Sequence, residues 1–188
     1  MIFFFDLDGT LRQTKSGSTF INNPDDQQPI PGAEKAVKYF SDRGYQCIGI
    51  TNQGGVAAGH KTIEDAIKEQ QITLELFPEL KEIYFCPDFE GRKCYWVNRK
   101  DTKIIHECEF NFRKPHSGII MIVISKNGAY DKQNNWMVGD RTEDFECAKS
   151  SGINFIWADI MLDKFNPGIH ERTIANIDKE TLLKFLAI

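Results

Sequence analysis

The most constraining feature of this sequence is a short apolar run that ends abruptly at a pair of acids. Ile2-Phe3-Phe4-Phe5 is followed at once by Asp6, and Asp8 comes two residues later. An apolar run of this length is typical of a strand buried on both faces of a parallel sheet. Ligands bind to such sheets outside the carboxyl ends of the strands. The sequence therefore predicts a parallel sheet with acidic groups at its ligand-binding end.

Apolar runs and helix-period segments alternate along most of the remaining chain. Four more strands are predicted at Cys47–Ile50, Ile83–Cys86, Trp136–Val138 and Ile153–Trp157. Helices are predicted near residues 31–43, 61–77, 116–125, 142–151 and 178–187. Because this alternation indicates βαβ units, the expected fold class is α/β, a Rossmann-like, three-layer parallel sheet with helices on both faces. A chain of 188 residues favours a single domain that spans residues 1–188.

Two segments interrupt the alternation. Residues 9–30 are polar and rich in Gly, Ser, Asn, Asp and Pro, which predicts a long loop after the first strand. Residues 87–113 form an insertion in which Cys94–Arg99 and Lys103–Cys108 flank a polar turn, a pattern that predicts a β-hairpin beside the sheet. Since neither segment exceeds about thirty residues, no large cap domain is expected.

Composition narrows the class of protein. A hydrophobic content of 41% and a charged content of 27% are typical of a globular domain. The apolar run at residues 2–5 is too short for a signal peptide or a membrane span, so we expect a cytoplasmic protein without membrane contacts. We also expect a monomer. The net charge of −4 argues against broad, non-specific binding of nucleic acid. Five scattered cysteines, an odd number, favour reduced thiols over a disulfide framework.

Four aspartates and a threonine follow the predicted strands. Asp6 and Asp8 follow the first strand, Thr51 the second, and Asp140 the fourth, with Asp144 just beyond. Carboxylates that converge in one crevice raise one another's pKa unless a cation lies among them. Oxygen ligands with open positions suit Mg²⁺. Any one of these aspartates alone is better explained as a turn residue or helix cap, but the set predicts a magnesium site.

Four motifs, in order, carry a resemblance to a known family. They are Phe5-Asp6-Leu7-Asp8-Gly9-Thr10, Ile50–Gln53, Arg113-Lys114-Pro115 and Val138–Asp144. Together they span about three quarters of the chain, and they resemble the four motifs of the haloacid dehalogenase superfamily. The resemblance implies an enzyme, a magnesium-dependent phosphomonoester hydrolase that acts through an aspartyl-phosphate intermediate.

The resemblance also implies roles for individual side chains. Asp6 is the nucleophile, and Asp8 is the general acid toward the leaving oxygen and then the base toward water. Thr51 and Lys114 meet the charge of the transferring phosphoryl group. The implied substrate contacts are Thr51, Asn52, Arg113 and Lys114.

The implied metal ligands overlap with these groups. Mg²⁺ is expected at the Asp6 carboxylate, the backbone carbonyl of Asp8, and Asp140. Asp144 is expected to brace Lys114 or a metal-bound water without itself binding the ion.

The second and third motifs are similar to those of the small-capped branch of this superfamily. That branch holds heptose-bisphosphate phosphatases, histidinol-phosphate phosphatases and the phosphatase domain of polynucleotide kinase 3′-phosphatases. Two substrates remain open: a small phosphorylated metabolite such as a sugar bisphosphate, or a nucleic-acid 3′ end. A third hypothesis, a non-catalytic phosphate-binding domain, does not account for the presence of Asp6 and Asp8 together.

The loop after the first motif bears on the nucleic-acid hypothesis. Thr14-Lys15-Ser16-Gly17, followed by Phe20, resembles the corresponding loop of polynucleotide 3′-phosphatases. This implies that Lys15 and Ser16 contact substrate beside an aromatic ring. The alternative is a plain connecting loop. The sequence has no Gly-x-x-x-x-Gly-Lys-Ser/Thr motif for a kinase half.

The hairpin insertion raises the question of zinc, because sugar phosphatases of this branch carry a zinc loop at that place. Four soft ligands are available: Cys86, Cys94, His106 and Cys108. However, Asp88 and Phe112 stand where the family has further ligands. The alternative is that the cysteines are small buried apolar residues.

Overall fold

Nine strands and seven helices occur in the computed structural model, which describes residues 1–105, 110–168 and 178–188. The strands are β1 (Ile2–Phe5), β2 (Arg12–Gln13), β3 (Gln28–Pro29), β4 (Gln46–Asn52), β5 (Leu80–Cys86), β6 (Cys94–Val97), β7 (Thr102–Ile105), β8 (Trp136–Gly139) and β9 (Asn154–Trp157). The helices are α1 (Ala33–Asp42), α2 (Gly54–Ala57), α3 (Ile63–Leu76), α4 (Gly118–Asn127), α5 (Thr142–Ser151), α6 (Ala158–Phe165) and α7 (Lys179–Leu186).

Five parallel strands form the centre of the sheet, in the order β5-β4-β1-β8-β9. The central strand β1 pairs on one side with β4, through Phe3 and Cys47, and on the other with β8, through Phe3 and Trp136. The chain therefore adds β4 and β5 on one side of β1, and later returns to add β8 and β9 on the other side. A point where strand order reverses in this way opens a crevice beyond the carboxyl ends of the strands.

The predicted hairpin is present, but it belongs to the sheet. Strand β6 pairs antiparallel with β5, through Phe85 and Tyr95, and β7 pairs antiparallel with β6. The seven-stranded sheet is therefore mixed. The α/β class with a small hairpin insertion is confirmed, and the described residues contain no large cap domain. No helix in the described ranges is long and apolar enough to cross a membrane.

Two apolar layers cover the sheet because alternate side chains of β1 point to opposite faces. Phe3 and Phe5 pack with α1, α3, α6 and α7, and the ring of Phe3 stacks on Phe40 at 4.0 Å. Ile2 and Phe4 pack with α4 and α5 on the other face. Each phenylalanine buried here contributes about 1.5–3 kcal/mol to the free energy of folding. The acidic residues that follow β1 thus extend from a rigid, fully buried strand.

Some elements differ from their prediction. Helix α6 was not predicted, because it follows β9 at Ala158 with no turn residue between them. The segment 9–30 is more ordered than a plain loop, since β2 and β3 pair within it. Arg12, near its start, is fully buried.

Candidate active site

The carboxyl ends of β1, β4 and β8 bring the predicted site residues into one cleft. Asp6 directly follows β1, Thr51 lies at the end of β4, and Asp140 directly follows β8. The backbone N–H of Asp6 donates to the carbonyl oxygen of Val138 at 2.9 Å, which fixes the ends of the two strands together. The cleft has a volume of about 850 Å³, and these three residues line it.

Asp6 is buried at the base of the cleft and held at both carboxylate oxygens. Lys114 Nζ donates to Oδ1 at 2.5 Å, and the Thr10 hydroxyl donates to Oδ2 at 3.2 Å. Burial, together with the negative charges of Asp144 and Asp140, raises the pKa of Asp6 to about 8 against the opposing charge of Lys114. A cation bound among these carboxylates would lower that pKa again.

Lys114 is buried between two carboxylates. Its Nζ donates to Asp6 and, at 2.6 Å, to Asp144 Oδ1. Burial disfavours the ammonium ion, but Asp144 and Asp6 outweigh it and raise the pKa of Lys114. The backbone of Lys114 is fixed by Asn52, whose side-chain amide donates to the Lys114 carbonyl and accepts from its N–H, both at 3.0 Å. Lys114 therefore lies in the cleft as a fixed cation, and α4 begins after it, at Gly118.

Two glycines of the motifs allow the acids to approach the strand ends. A Cβ atom at Gly9, where φ is +87°, would lie 2.3 Å from Asp140 Oδ2. A Cβ atom at Gly139 would lie 2.4 Å from Asp144 Oδ2. Any larger residue at either position would displace a carboxylate of the site.

The carboxylates of Asp6, Asp140 and Asp144 form a group that fits a divalent cation. Each offers an oxygen, and these atoms lie within 4.8 Å of one another. Asp144 is occupied, because it accepts from Lys114 and from the Arg141 N–H at 3.1 Å. Asp140 is the most exposed of the three, but the partial burial of its carboxylate, together with the negative charge of Asp144, raises its pKa. Clustered hard oxygen donors of this kind are the ligands that Mg²⁺ prefers.

Asp8 also lines the cleft, in a different electrostatic setting. Arg12 Nε donates to its Oδ1 at 2.9 Å, and Gln53 Nε2 donates to its Oδ2 at 3.3 Å. Burial raises the pKa of Asp8, but the charge and hydrogen bonds of Arg12 outweigh it, and the pKa is lowered overall. The two acids of the first motif thus differ in the direction of their pKa shifts.

Sequence reasoning assigned no role to several side chains that contact Asp6 or Asp8 directly or through one neighbour. They are Thr10, Arg12, Gln53, Lys61 and Glu69. One signal was available, since Glu69 lies on the buried face of α3 beside Ala66 and Thr73. A charged residue at such a position indicates a buried partner.

The loop after the first motif contributes to the cleft in part. Lys15 lines the cleft, and its Nζ donates to the Asp25 carbonyl at 3.0 Å. Ser16 is engaged within the loop, where its hydroxyl donates to Asp26 Oδ2 at 2.6 Å. Phe20 lines the cleft and is 63% exposed.

A second aromatic ring lies on the same cleft. Phe89 is 56% exposed and lies 5.3 Å from the guanidinium of Arg113, in a cation–π contact. Arg113 Nη1 also donates to the Asp88 carbonyl at 3.5 Å. Arg113 therefore lines the cleft while tied to the segment after β5.

The proposed zinc ligands are only partly described. Cys86 and Cys94 are buried in the apolar layer that also contains α4. Burial raises the pKa of the Cys86 thiol to about 11 and also raises that of Cys94. His106 and Cys108 lie outside the described residues.

Comparison with known proteins identifies the family. The model of the family "Polynucleotide kinase 3 phosphatase" matches residues 1–164. D-glycero-beta-D-manno-heptose-1,7-bisphosphate 7-phosphatase of Haemophilus ducreyi is 32% identical over 159 residues, which cover 80% of this chain and 78% of that protein. The D-glycero-D-manno-heptose-1,7-bisphosphate 7-phosphatase of Thermosynechococcus vestitus is 28% identical over 79% of this chain and 74% of its own length.

A similar fold occurs in the D,D-heptose 1,7-bisphosphate phosphatase of B. bronchiseptica, solved with magnesium and phosphate. The TM-score is 0.56 at 20% identity, over 82% of this chain and 79% of that one. These similarities agree with the resemblance that the four motifs indicate. The chain therefore belongs to the polynucleotide kinase 3 phosphatase family, and it is a phosphatase of the haloacid dehalogenase type.

Proposed function

We propose that this chain is a Mg²⁺-dependent phosphomonoester hydrolase that forms an aspartyl phosphate at Asp6. The observation that carries the proposal is the setting of Asp6. Its buried carboxylate is held by Lys114 and Thr10, with oxygens of Asp140 and Asp144 close by. A carboxylate fixed in orientation at the base of an open cleft is suited to attack a phosphoryl group that enters from the cleft.

The reaction then has two steps. In the first, an Asp6 oxygen bonds to phosphorus while the bond from phosphorus to the ester oxygen breaks. Asp8 must carry a proton in this step, although Arg12 lowers its pKa in the free protein, and it gives that proton to the leaving oxygen. In the second, the Asp8 carboxylate takes a proton from water, whose oxygen attacks phosphorus while the bond to Asp6 breaks. Phosphate leaves, and both aspartates return to their initial states.

Two further groups act on the phosphoryl oxygens. Lys114 presents a fixed positive charge beside Asp6, and the Thr51 hydroxyl lies at the end of β4 on the same cleft. Donors that are fixed before reaction stabilise the charge of the transition state without reorganising. The proposed role of Asn52 is to position Lys114 through their two mutual hydrogen bonds.

The proposed ligands of Mg²⁺ are the carboxylates of Asp6 and Asp140 and the backbone carbonyl of Asp8. When bound, the ion supplies positive charge to the phosphate oxygens and relieves repulsion among the carboxylates. The similar B. bronchiseptica protein, solved with magnesium and phosphate, supports magnesium as the ion. Asp144 is proposed to hold Lys114 in place. It also caps the N-terminus of α5, where it accepts from the backbone N–H of Arg141.

The proposed substrate is a small phosphorylated metabolite such as a sugar bisphosphate. The relatives from H. ducreyi and T. vestitus are named for heptose bisphosphate, which supports this class of substrate. A net charge of −4 also gives no general attraction for nucleic acid.

A nucleic-acid 3′ end is the second candidate substrate, and a specific observation favours it. The exposed rings of Phe20 and Phe89 line the cleft together with the cations of Lys15 and Arg113. Aromatic rings beside cations are typical of sites for single-stranded nucleic acid.

The deciding experiment is a phosphatase assay over sugar phosphates, sugar bisphosphates, nucleotides and 3′-phosphorylated oligonucleotides, with and without Mg²⁺. We expect Mg²⁺-dependent release of phosphate, greatest with a sugar bisphosphate and absent in Asp6→Asn. Activity that is unchanged after chelation of divalent ions would contradict the proposed metal dependence.

A further inference from the structure

Five polar side chains form a closed ring of hydrogen bonds beside the cleft: Asp8, Arg12, Glu69, Lys61 and Gln53. Arg12 donates to Asp8 and, through Nη2, to Glu69. Lys61 Nζ donates to Glu69 and, at 2.8 Å, to Gln53 Oε1. Gln53 Nε2 closes the ring at Asp8 Oδ2. Both oxygens of the Asp8 carboxylate therefore accept hydrogen bonds from members of the ring.

The ring is buried on the side away from the cleft. Arg12 and Glu69 are fully buried, whereas 40% of the Asp8 side chain is exposed. A buried ion pair is often no more stabilising than well-packed apolar residues of similar volume. Stability alone therefore does not account for an arginine and a glutamate behind a cleft carboxylate.

Helix α3 fixes the guanidinium of Arg12 in place. The Nη1 of Arg12 donates to the Thr73 hydroxyl and to the Glu69 carbonyl at 3.4 Å, both on α3. It also donates to Gln27 Oε1 at 3.2 Å. With these bonds made, Nε and Nη2 face Asp8, at 2.9 Å from Oδ1 and 3.4 Å from Oδ2. A planar fork held at its far end restricts the carboxylate to one orientation.

We propose that Arg12 and Gln53 are positioning residues that hold Asp8 in the orientation required for proton transfer, and that Glu69 and Lys61 fix them in turn. The inference rests on the proposed role of Asp8 as general acid and base. Proton transfer requires the carboxyl group to lie within hydrogen-bond reach of the leaving oxygen, and small displacements are costly.

This role has a signature in the leaving group. An alkyl phosphate, such as a sugar phosphate, needs a proton on its leaving oxygen, whereas 4-nitrophenyl phosphate releases a stable anion. Loss of the orientation of Asp8 therefore slows the first step for the alkyl ester and spares it for the aryl ester. The second step, which uses Asp8 as a base, is slowed for both.

The test compares kcat/KM for a sugar phosphate and for 4-nitrophenyl phosphate in Arg12→Met and Gln53→Leu. In Arg12→Met we expect a loss of about 100-fold on the sugar phosphate and less than about threefold on the aryl ester. Gln53→Leu should show the same pattern with a smaller loss. A burst of nitrophenol should appear in Arg12→Met as the second step becomes limiting. Arg12→Lys, which keeps a charge but not the fork, should recover part of the loss.

Two further variants separate positioning from folding. Arg12→Met leaves Glu69 short of a partner, so Arg12→Met/Glu69→Met removes both charges and keeps the volume. It should regain thermal stability relative to the single variant without regaining activity on the sugar phosphate. Leu74 is a fully buried residue of α3, the helix that carries Glu69. Leu74→Ala should lower stability without altering the ratio of kcat/KM for the sugar phosphate to kcat/KM for the aryl ester.

Asp8→Asn distinguishes the two ways in which the inference can fail. If Asp8→Asn reduces both substrates equally, the proposed acid–base role of Asp8 is wrong and the inference falls with it. If Asp8→Asn shows the leaving-group effect but the Arg12 and Gln53 variants lose both substrates equally, only the positioning role is wrong. Should Arg12→Met not fold, Gln53→Leu and the double variant carry the same comparison.

Discussion

At the scale of single residues, the acids of the site differ from one another in burial and in the charges beside them. Asp6 is buried among carboxylates with one cation beside it, whereas Asp8 is paired with a buried arginine. Asp144 is as deeply buried as Asp6, and its two oxygens accept from the Lys114 ammonium and from the Arg141 backbone N–H. Substitutions at these acids should therefore differ in their effects.

We predict that Asp6→Asn abolishes phosphatase activity and leaves the fold intact. The amide keeps the shape of the side chain but loses its charge and nucleophilicity, so kcat should fall by roughly 10⁴-fold or more. Asp144→Asn keeps an acceptor for Lys114 and should cost about 10- to 100-fold. Steady-state kinetics and circular dichroism measure both variants. Retention of more than about a tenth of wild-type kcat by Asp6→Asn would rule out the aspartyl-phosphate mechanism.

Asp6, Thr51 and Asp140 could be located from sequence because each follows a recognisable apolar run, whereas Lys114 was identified by the resemblance of its motif. The ring around Asp8 could not be predicted in this way. Arg12 and Glu69 are 57 positions apart, and their contact depends on how α3 packs against the segment after β1. Local patterns identify which residues are buried on a helix face, but not which distant side chain they meet.

At the scale of elements, the loop after β1 decides between the two substrate classes. The nucleic-acid candidate predicts that a 3′-phosphorylated oligonucleotide is hydrolysed about 10- to 100-fold more efficiently than a mononucleotide 3′-phosphate, because base stacking contributes roughly 1–3 kcal/mol. Phe20→Ala and Lys15→Ala should then remove this preference. Tyr130→Ala, an exposed aromatic residue that does not line the described part of the cleft, is the control. Equal efficiency on both substrates, unchanged by Phe20→Ala, would eliminate this candidate.

The cysteines in and beside the hairpin of β6 and β7 lead to a prediction about zinc content. We expect the purified protein to hold less than one zinc per chain, because Asp88 and Phe112 stand where zinc-bearing relatives are expected to have ligands, and Cys86 and Cys94 are buried in an apolar layer. Elemental analysis of the protein measures this directly. Stoichiometric zinc that is lost in Cys94→Ser and Cys108→Ser, but kept in Cys147→Ser, would overturn the prediction and strengthen the likeness to zinc-bearing sugar phosphatases.

The elements themselves show what sequence patterns can and cannot resolve. The apolar runs identified the five parallel strands, and four of these runs end directly before a polar or turn residue. The hairpin was recognised, but not its pairing with β5, because pairing depends on which sheet edge is free. Helix α6 was missed for the opposite reason, since the apolar character of β9 continues into it.

At the scale of the whole molecule, the carboxylate group couples folding to pH and to metal. In the metal-free protein, Asp6 keeps a proton up to about pH 8 that the unfolded chain loses near its ordinary pKa of 3.8. The folded state therefore binds more protons within this window, and its stability falls as pH rises through it. Asp8 has the opposite shift, but its stabilising contribution is fully present above pH 3.8 and stays constant at higher pH.

We predict that Mg²⁺ raises Tm, and that it does so more at about pH 8 than at about pH 5.5, because the ion must displace the proton of Asp6. At about 100 times Kd, ligand binding contributes about 2.7 kcal/mol, which corresponds to a rise in Tm of about 5–10 °C. Without metal, Tm should decrease as the pH is raised from about 5.5 to about 8. Asp6→Asn, which cannot hold the proton, should flatten this pH dependence and weaken the effect of Mg²⁺. Thermal denaturation with Mg²⁺ or a chelator measures all four conditions. An equal rise in Tm at both pH values would show that the ion does not compete with the proton on Asp6, and its binding site would then lie elsewhere.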